Sequence, residues 1–235
     1  MKKKAIIFSP HPDDETLACG GTIAKKLREG YEITIVFMTD GRHSLSKLFG
    51  ISSDPSPIEL KEIRREEAKK AAKILGLREE NLFFLDFEDG TLKESDDVIN
   101  RVSDILSKIH PNEIYFPWVH DLPIDHKKTN LIVSNSLMRL KIHTLKYQYV
   151  ISPAFLPLSP AIQRPLIDAI SKIFRSYWLE VDITEFIDLK RKAINAYQSQ
   201  ISIFSQKQSR PVLDGFFLKN FSKNKEKFLL DNFLG

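Results

Sequence analysis

Short apolar runs that alternate with stretches of helical period narrow the fold of this chain more than any other feature. Strands read at about Lys4–Ser9, at Glu32–Met38 (EITIVFM), at Asn81–Asp86 (NLFFLD) and in EIYFPW, which begins at Glu113. Between them lie helical stretches at about Asp14–Glu29, at Ile58–Leu75 with Gly76 closing it, and in ESDDVINRVSDILSKIH, ended by Pro111. In the first of these, Leu17, Ala18, Gly21, Ile23, Ala24 and Leu27 fall near helical spacing. A further helix, about His126–Leu140, follows the fourth strand. EITIVFM is apolar throughout, as a strand buried on both faces must be. Parallel neighbours need crossover connections, so the order β-α-β-α-β-α-β predicts an α/β fold. The expected form is a three-layer, Rossmann-like, mostly parallel sheet with helices on both faces and its site at the carboxyl edge of the strands.

After Lys146 the pattern loosens. YQYVIS and SYWLEVDI read as strands, Pro153, Pro157, Pro160 and Pro165 punctuate the segment between them, and DITEFIDLKRKAINAYQSQI reads as one long helix capped by Thr184. A single domain over residues 1–235 is expected, with 1–145 as the α/β core carrying the site and 146–235 completing the fold. Residues 41–57 form a long polar loop, and such loops in compact domains are often functional.

Composition sets the class. At 235 residues, 42% apolar and 28% charged, the chain has the mixture of a soluble globular protein with a sizeable core. The single cysteine, Cys19, excludes an internal disulfide and a cysteine-rich metal site, and predicts a packed thiol in a reducing, cytoplasmic setting. MKKKAIIFSP imitates a signal peptide, but its apolar part is too short for an h-region, and no run approaches the roughly 18 apolar residues of a membrane span. The net charge of +4 is carried by lysines spread along the chain, at Lys25–Lys26, Lys69–Lys70, Lys127–Lys128 and Lys190–Lys192. Without interleaved aromatics these are solvated helix faces, so no nucleic-acid partner is expected, while anionic sugars stay compatible.

The polar residues collect at strand ends. The first strand is followed by His11, Asp13 and Asp14, the second by Asp40, the third by Asp86 and Asp89, and the fourth by His120, Asp121, Asp125 and His126. In open α/β sheets ligands bind outside the carboxyl ends of strands, so these groups face one another. Histidines and carboxylates without thiolates suit zinc or another first-row divalent ion, and two histidines with one carboxylate leave coordination positions open for catalysis. If Pro12 makes the turn, His11 and Asp14 point into one pocket with Asp13 beside them, and His126 completes the shell. An acid near the ion but outside its shell can take a proton from water whose pKa the ion has lowered, which assigns Asp13 as general base. HPDDE is equally a good helix start, with proline in the first turn and acids favoured by the dipole.

HPDDE after the first strand, TDG after the second, RREEA on the next helix, then LGL, FLDFEDG and a DH after the fourth strand together resemble the LmbE/PIG-L family. Its members are zinc-dependent de-N-acetylases of N-acetylglucosamine-type sugars. The likeness extends to VDITEFIDLKRKAINAYQSQ, similar to the family's late helix ending in SQ. By that resemblance His11, Asp14 and His126 are the metal ligands, Asp13 is the base, and Arg64 and Asp89 hold sugar hydroxyls. Asp125 resembles the acid that tunes a neighbouring histidine; Asp40 and Trp118 join the expected substrate contacts, an indole face being suited to stacking on a sugar. One departure concerns DLPIDH, where Pro123 occupies the place of a histidine that stabilises the oxyanion in many members; His120 is the nearest candidate substitute. The expected activity is removal of acetyl from an N-acetylglucosamine-type sugar or conjugate. The alternatives are a nucleotide-sugar glycosyltransferase holding Mg²⁺ or Mn²⁺ on Asp13 and Asp14, or a sugar-binding relative impaired by Pro123.

The remaining motifs read as structural. His43 is expected to be a mobile surface residue, His110 a helix-end residue, and Gly20–Gly21 does not extend to a dinucleotide fingerprint. Phe155, Leu156 and Leu158 would cover the pocket or meet a second copy in a homo-oligomer.

Overall fold

The computed structural model describes residues 2–152 and 178–230. Its seven strands form one sheet in the order β3-β2-β1-β4-β5-β7-β6. They are β1 (Lys4–Ser9), β2 (Glu32–Thr39), β3 (Leu82–Phe87), β4 (Glu113–Pro117), β5 (Leu145–Tyr149), β6 (Trp178–Asp182) and β7 (Lys225–Leu230). The first five run parallel, and β7 pairs antiparallel with both β5 and β6. Successive residues of a strand face opposite ways. Ala5 and Ile7 therefore enter one core with Leu17, Cys19 and Ile23, while Ile6 and Phe8 enter the other with Val102, Leu106 and Ile132. Helices α1 (Asp14–Arg28) and α3 (Pro57–Leu75) cover the first face, and α4 (Asp96–Ile109) and α5 (Ile124–Leu140) the second. Among the described residues no helix is long and apolar enough to cross a membrane.

Several elements differ from the sequence reading, each for a local reason. The long polar loop contains a helix, α2 (Ser44–Phe49), too short to display a period; it buries Leu45 against Ile51 and Leu60 and stops at Gly50 in the left-handed conformation. Helix α5 begins at Ile124, so Asp125 and His126 stand in its first turn and not in the preceding loop. The stretch read as one long helix is a 3₁₀ turn (Thr184–Phe186), α6 (Ile187–Ile194) and α7 (Gln198–Ile201). Thr184 does not cap it: its N–H and hydroxyl both donate to Asp182, at 2.9 and 2.6 Å. Strand β7, KEKFLL, escaped because alternating lysines hide its apolar side. The proline-punctuated segment with Phe155, Leu156 and Leu158 lies outside the described residues.

Strand β7 also reaches into the core electrostatically. Glu226 accepts Lys190 Nζ from α6 at 2.7 Å, with both side chains 2% exposed. The same carboxylate accepts the main-chain N–H groups of Gly21 and Thr22 in α1, at 2.8 and 2.7 Å. Gly21 is required there, since a Cβ would lie 2.5 Å from Ile183. Three separate stretches of chain thus meet on one buried carboxylate, which is stable only while its counter-charge is present. Lys190→Met keeps the aliphatic stem and removes that charge; urea unfolding is expected to give a loss of about 3–5 kcal/mol, and a loss under about 1 kcal/mol would show the pair is dispensable.

Candidate active site

Chain order reverses between β1 and β4, which are neighbours in the sheet although β2 and β3 intervene in sequence. The connections leaving these strands part to opposite sides and open a crevice at their carboxyl ends. His11 and Asp14 arrive from the β1 side and His126 from the first turn of α5. The three residues form one compact group: His11 Nδ1 lies 3.3 Å from Asp14 Oδ2 and 3.3 Å from His126 Nε2, and the last two atoms are 3.2 Å apart. Ligand bonds of about 2.0–2.1 Å in a tetrahedral zinc shell imply edges of about 3.3–3.4 Å, so the three atoms have the spacing of one face of such a shell. They could hold a divalent ion with a coordination position left for a reactant.

Each imidazole is turned by a carboxylate on its other nitrogen. His126 Nδ1 meets Asp121 at 2.9 Å, and Asp121 is itself anchored by the N–H groups of Ile151 (3.0 Å) and Ser152 (2.6 Å). His11 Nε2 faces Asp125 at 3.2 Å and Asp89 at 3.4 Å. Asp125 therefore meets a histidine, but it is the distant His11 and not the adjacent His126; Gly90 N–H (2.6 Å) and Leu92 N–H (3.3 Å) hold it in place. Asp121 is the orienting acid that sequence reasoning left unassigned. It was visible as a strand-end acid, but five residues of separation from His126 spans no regular helical contact. Burial opposes charge on His126, yet Asp14 and Asp121 prevail and push it up to about 9. Burial likewise opposes ionisation of Asp14, and the imidazoles overcome it, holding its carboxyl well below the usual range. A divalent ion would compete with the protons on these imidazoles, since only a neutral imidazole ligates.

Asp13 stands next to this group and outside it. Its φ of 142° is a strained value for a non-glycine residue, costing about 1–3 kcal/mol, and its side chain makes no cap bond to α1. The HPDDE segment is thus not a simple helix cap. The Asp13 carboxylate accepts Arg64 Nη2 at 2.9 Å, and its N–H donates to Glu15 at 3.1 Å. Burial pushes the Asp13 carboxyl up to about 7 against the pull of Arg64. Arg64 itself is 2% exposed and also donates to the carbonyls of Pro12 (2.5 Å) and Gly41 (2.9 Å). That ties the loops after β1 and β2 to α3 and holds the guanidinium, buried, against the acid. Gly41, at φ 65°, leaves room for it: a Cβ would sit 2.4 Å from Nη1.

The other expected contacts range from buried acids to exposed side chains. Asp89 accepts the N–H of His43 (3.0 Å) and Lys47 Nζ (2.7 Å), which brings α2 to the site. His43 is not a loose surface residue, since its Nε2 also meets Glu88 at 2.8 Å. Asp40 is buried and taken up by Arg42 Nε at 2.7 Å, so Arg42 and not Asp40 faces outward. Trp118 is partly buried and carries His120 edge-on, ring centroids 4.9 Å apart, with His120 exposed. Among the described residues His120 makes no hydrogen bond to His11, Asp14 or His126.

A doubly wound sheet with an open two-histidine, one-carboxylate group at its switch point and a second acid alongside could hold a divalent ion and a group to work beside it. The family profile described as PIG-L, GlcNAc-PI de-N-acetylase, matches residues 6–137, and the chain belongs to that family. A probable N-acetyl-α-D-glucosaminyl L-malate deacetylase of Bacillus cereus is 27% identical over 210 residues, covering 85% of this chain and 84% of the relative. Among solved structures, the N,N′-diacetylchitobiose deacetylase of Pyrococcus horikoshii is similar with TM-score 0.71 and 24% identity, over 97% of this chain and 83% of the other. A 4-carboxy-2-hydroxymuconate hydratase of Pseudomonas putida shares the fold at TM-score 0.72 and 18% identity, over 99% and 97%.

The Asp121 contact carries a consequence for ion binding. Asp121→Asn leaves the His126 ring without its charged partner, and divalent-ion titration of the folded variant is expected to give about 10- to 100-fold weaker affinity. An unchanged affinity would mean that His126 is held by packing alone.

Proposed function

We propose that the protein is a zinc-dependent deacetylase that hydrolyses the acetamido group of an N-acetylglucosamine-type sugar or conjugate, releasing acetate and a free amine. The observation that carries this reading is the face of three ligand atoms, 3.2–3.3 Å apart, with the Asp13 carboxylate beside it and not in it. His11, Asp14 and His126 would hold a zinc ion, which would supply Lewis-acid polarisation of the amide carbonyl and a lowered pKa for water. Asp13, held by Arg64, takes the proton from that water and returns it to the departing nitrogen. His120, on the loop between β4 and α5, contributes the donor to the developing oxyanion that Pro123 lacks. Asp89, buried beside His11, would take sugar hydroxyls from within the pocket, while Lys47 and Trp118 line its rim, the indole offering a ring face.

The carbon-nitrogen hydrolase reading is supported over the transferase alternative by the family match, and the named relatives supply the substrate class. The protein has no need of nucleic acid for this chemistry, and its partner is a small amino-sugar compound in a cytoplasmic setting. Because the fold also serves a hydratase, the assay must identify products: acetate with a free amine, not water added across a carbon-carbon double bond.

The experiment joins metal analysis of purified protein to a deacetylation screen over N-acetylglucosamine, its chitobiose dimer, and lipid, thiol, malate and nucleotide conjugates. Asp13→Asn is expected to keep its zinc and lose about 10²- to 10⁴-fold in kcat. His120→Ala is expected to keep its zinc and lose about 10²- to 10³-fold. Normal turnover by Asp13→Asn would assign the base elsewhere, and absence of acetate release from every compound by zinc-loaded wild type would leave the impaired sugar-binding relative as the better account.

A further inference from the structure

The segment YQSQ, Tyr197–Gln200, contributes nothing to the ligand set, yet three of its side chains are bonded to the segments that carry the site. The Tyr197 hydroxyl, on a side chain only 1% exposed, donates to Glu15 Oε1. Glu15 is equally buried, and its other oxygen accepts the N–H of Asp13 and the hydroxyl of Ser9, both at 3.1 Å. Ser199 reaches Glu67 twice, by N–H at 2.7 Å and by hydroxyl at 2.6 Å. Glu67 lies one helical turn beyond Arg64 on α3 and feels its charge. Gln200 extends the contact to Ser44 at the start of α2, at 3.3 Å.

We infer that Tyr197 and Ser199 are positioning residues for the deacetylation: through Glu15 and Glu67 they hold the main chain of Asp13 and the helix turn that presents Arg64. The inference rests on Asp13 being the base, as proposed above. The strained φ of 142° at Asp13 persists only if its surroundings over-determine it. Its N–H is held by Glu15 and its carboxylate by Arg64, and the YQSQ segment stands behind both. Tyr197 stays a donor, because burial and the adjacent Glu15 charge push its phenol well above the ordinary value.

The test uses the full zinc-loaded chain and Tyr197→Phe, which keeps the ring and removes the hydroxyl. Expected are a fall in kcat of about tenfold or more, with KM and zinc affinity within about twofold of wild type and the melting temperature little changed. Amide exchange in the peptide spanning residues 11–16 should rise about tenfold while exchange in β1 and β2 is unaltered. Glu15→Gln, which retains an acceptor for the Asp13 N–H, should keep more activity than Glu15→Ala. Wild-type kcat in Tyr197→Phe overturns the inference, as does a loss in which zinc affinity, melting temperature and exchange protection across the sheet fall together. If the wild type releases no acetate, the base assignment fails by itself, and unchanged exchange at residues 11–16 in Tyr197→Phe then separately overturns the positioning link.

Discussion

Two imidazoles and a carboxylate share a small buried space between β1 and β4, and the surrounding structure is organised to make that tolerable. Charged groups removed from water are costly unless each finds a partner. Here Asp14 lies against both imidazoles, Asp121 takes the outer nitrogen of His126, and Asp125 and Asp89 take that of His11. Main-chain N–H groups of Gly90 and Leu92 donate to Asp125, and those of Ile151 and Ser152 to Asp121. The result is a set of side chains held in place by bonds to several separate segments of the chain. Such groups could not be held at ligand spacing on mobile loops.

The second half of the chain acts as restraint. Strand β7 supplies Glu226, which joins α6 to the middle of α1 through Lys190 and the N–H groups of Gly21 and Thr22. The YQSQ segment supplies the bonds to Glu15 and Glu67 at the other end of α1 and on α3. Helix α1 carries Asp14 in its first turn and follows directly on Asp13, so fixing this helix fixes both acids. The grouped histidines and acids come from the parallel core, and the antiparallel extension and its helices add bonds that hold α1 and α3.

How much of this could be read from residues alone depends on the range of the interaction. The parallel core was legible because strands such as β2 are apolar and buried over most of their length and helices such as α4 show a clear period. The grouping of His11, Asp14 and His126 was legible because strands of one parallel sheet end on the same edge. The partners of those residues were not. Asp125 is adjacent to His126 in sequence and bonds His11 instead, because a residue at the start of a helix points a full 100° away from its neighbour. Arg64 was expected at a sugar and is buried against Asp13, with bonds to the loops after β1 and β2 that lie 52 and 23 residues away in sequence. Short or alternating elements, α2 and β7, left too few residues for a period to appear.

The sequence by itself determined the class of fold, the edge of the sheet that carries the chemistry, and the residue types available there, since apolar periodicity and strand direction are local properties that survive without knowledge of contacts. Only the tertiary structure decided which acid turns which imidazole, that Arg64 backs Asp13, and that Tyr197 and Ser199 stand behind them. Those pairings span up to 182 residues of chain, and hydrogen bonds, being short-ranged and directional, depend on final positions within fractions of an ångström that no linear spacing encodes.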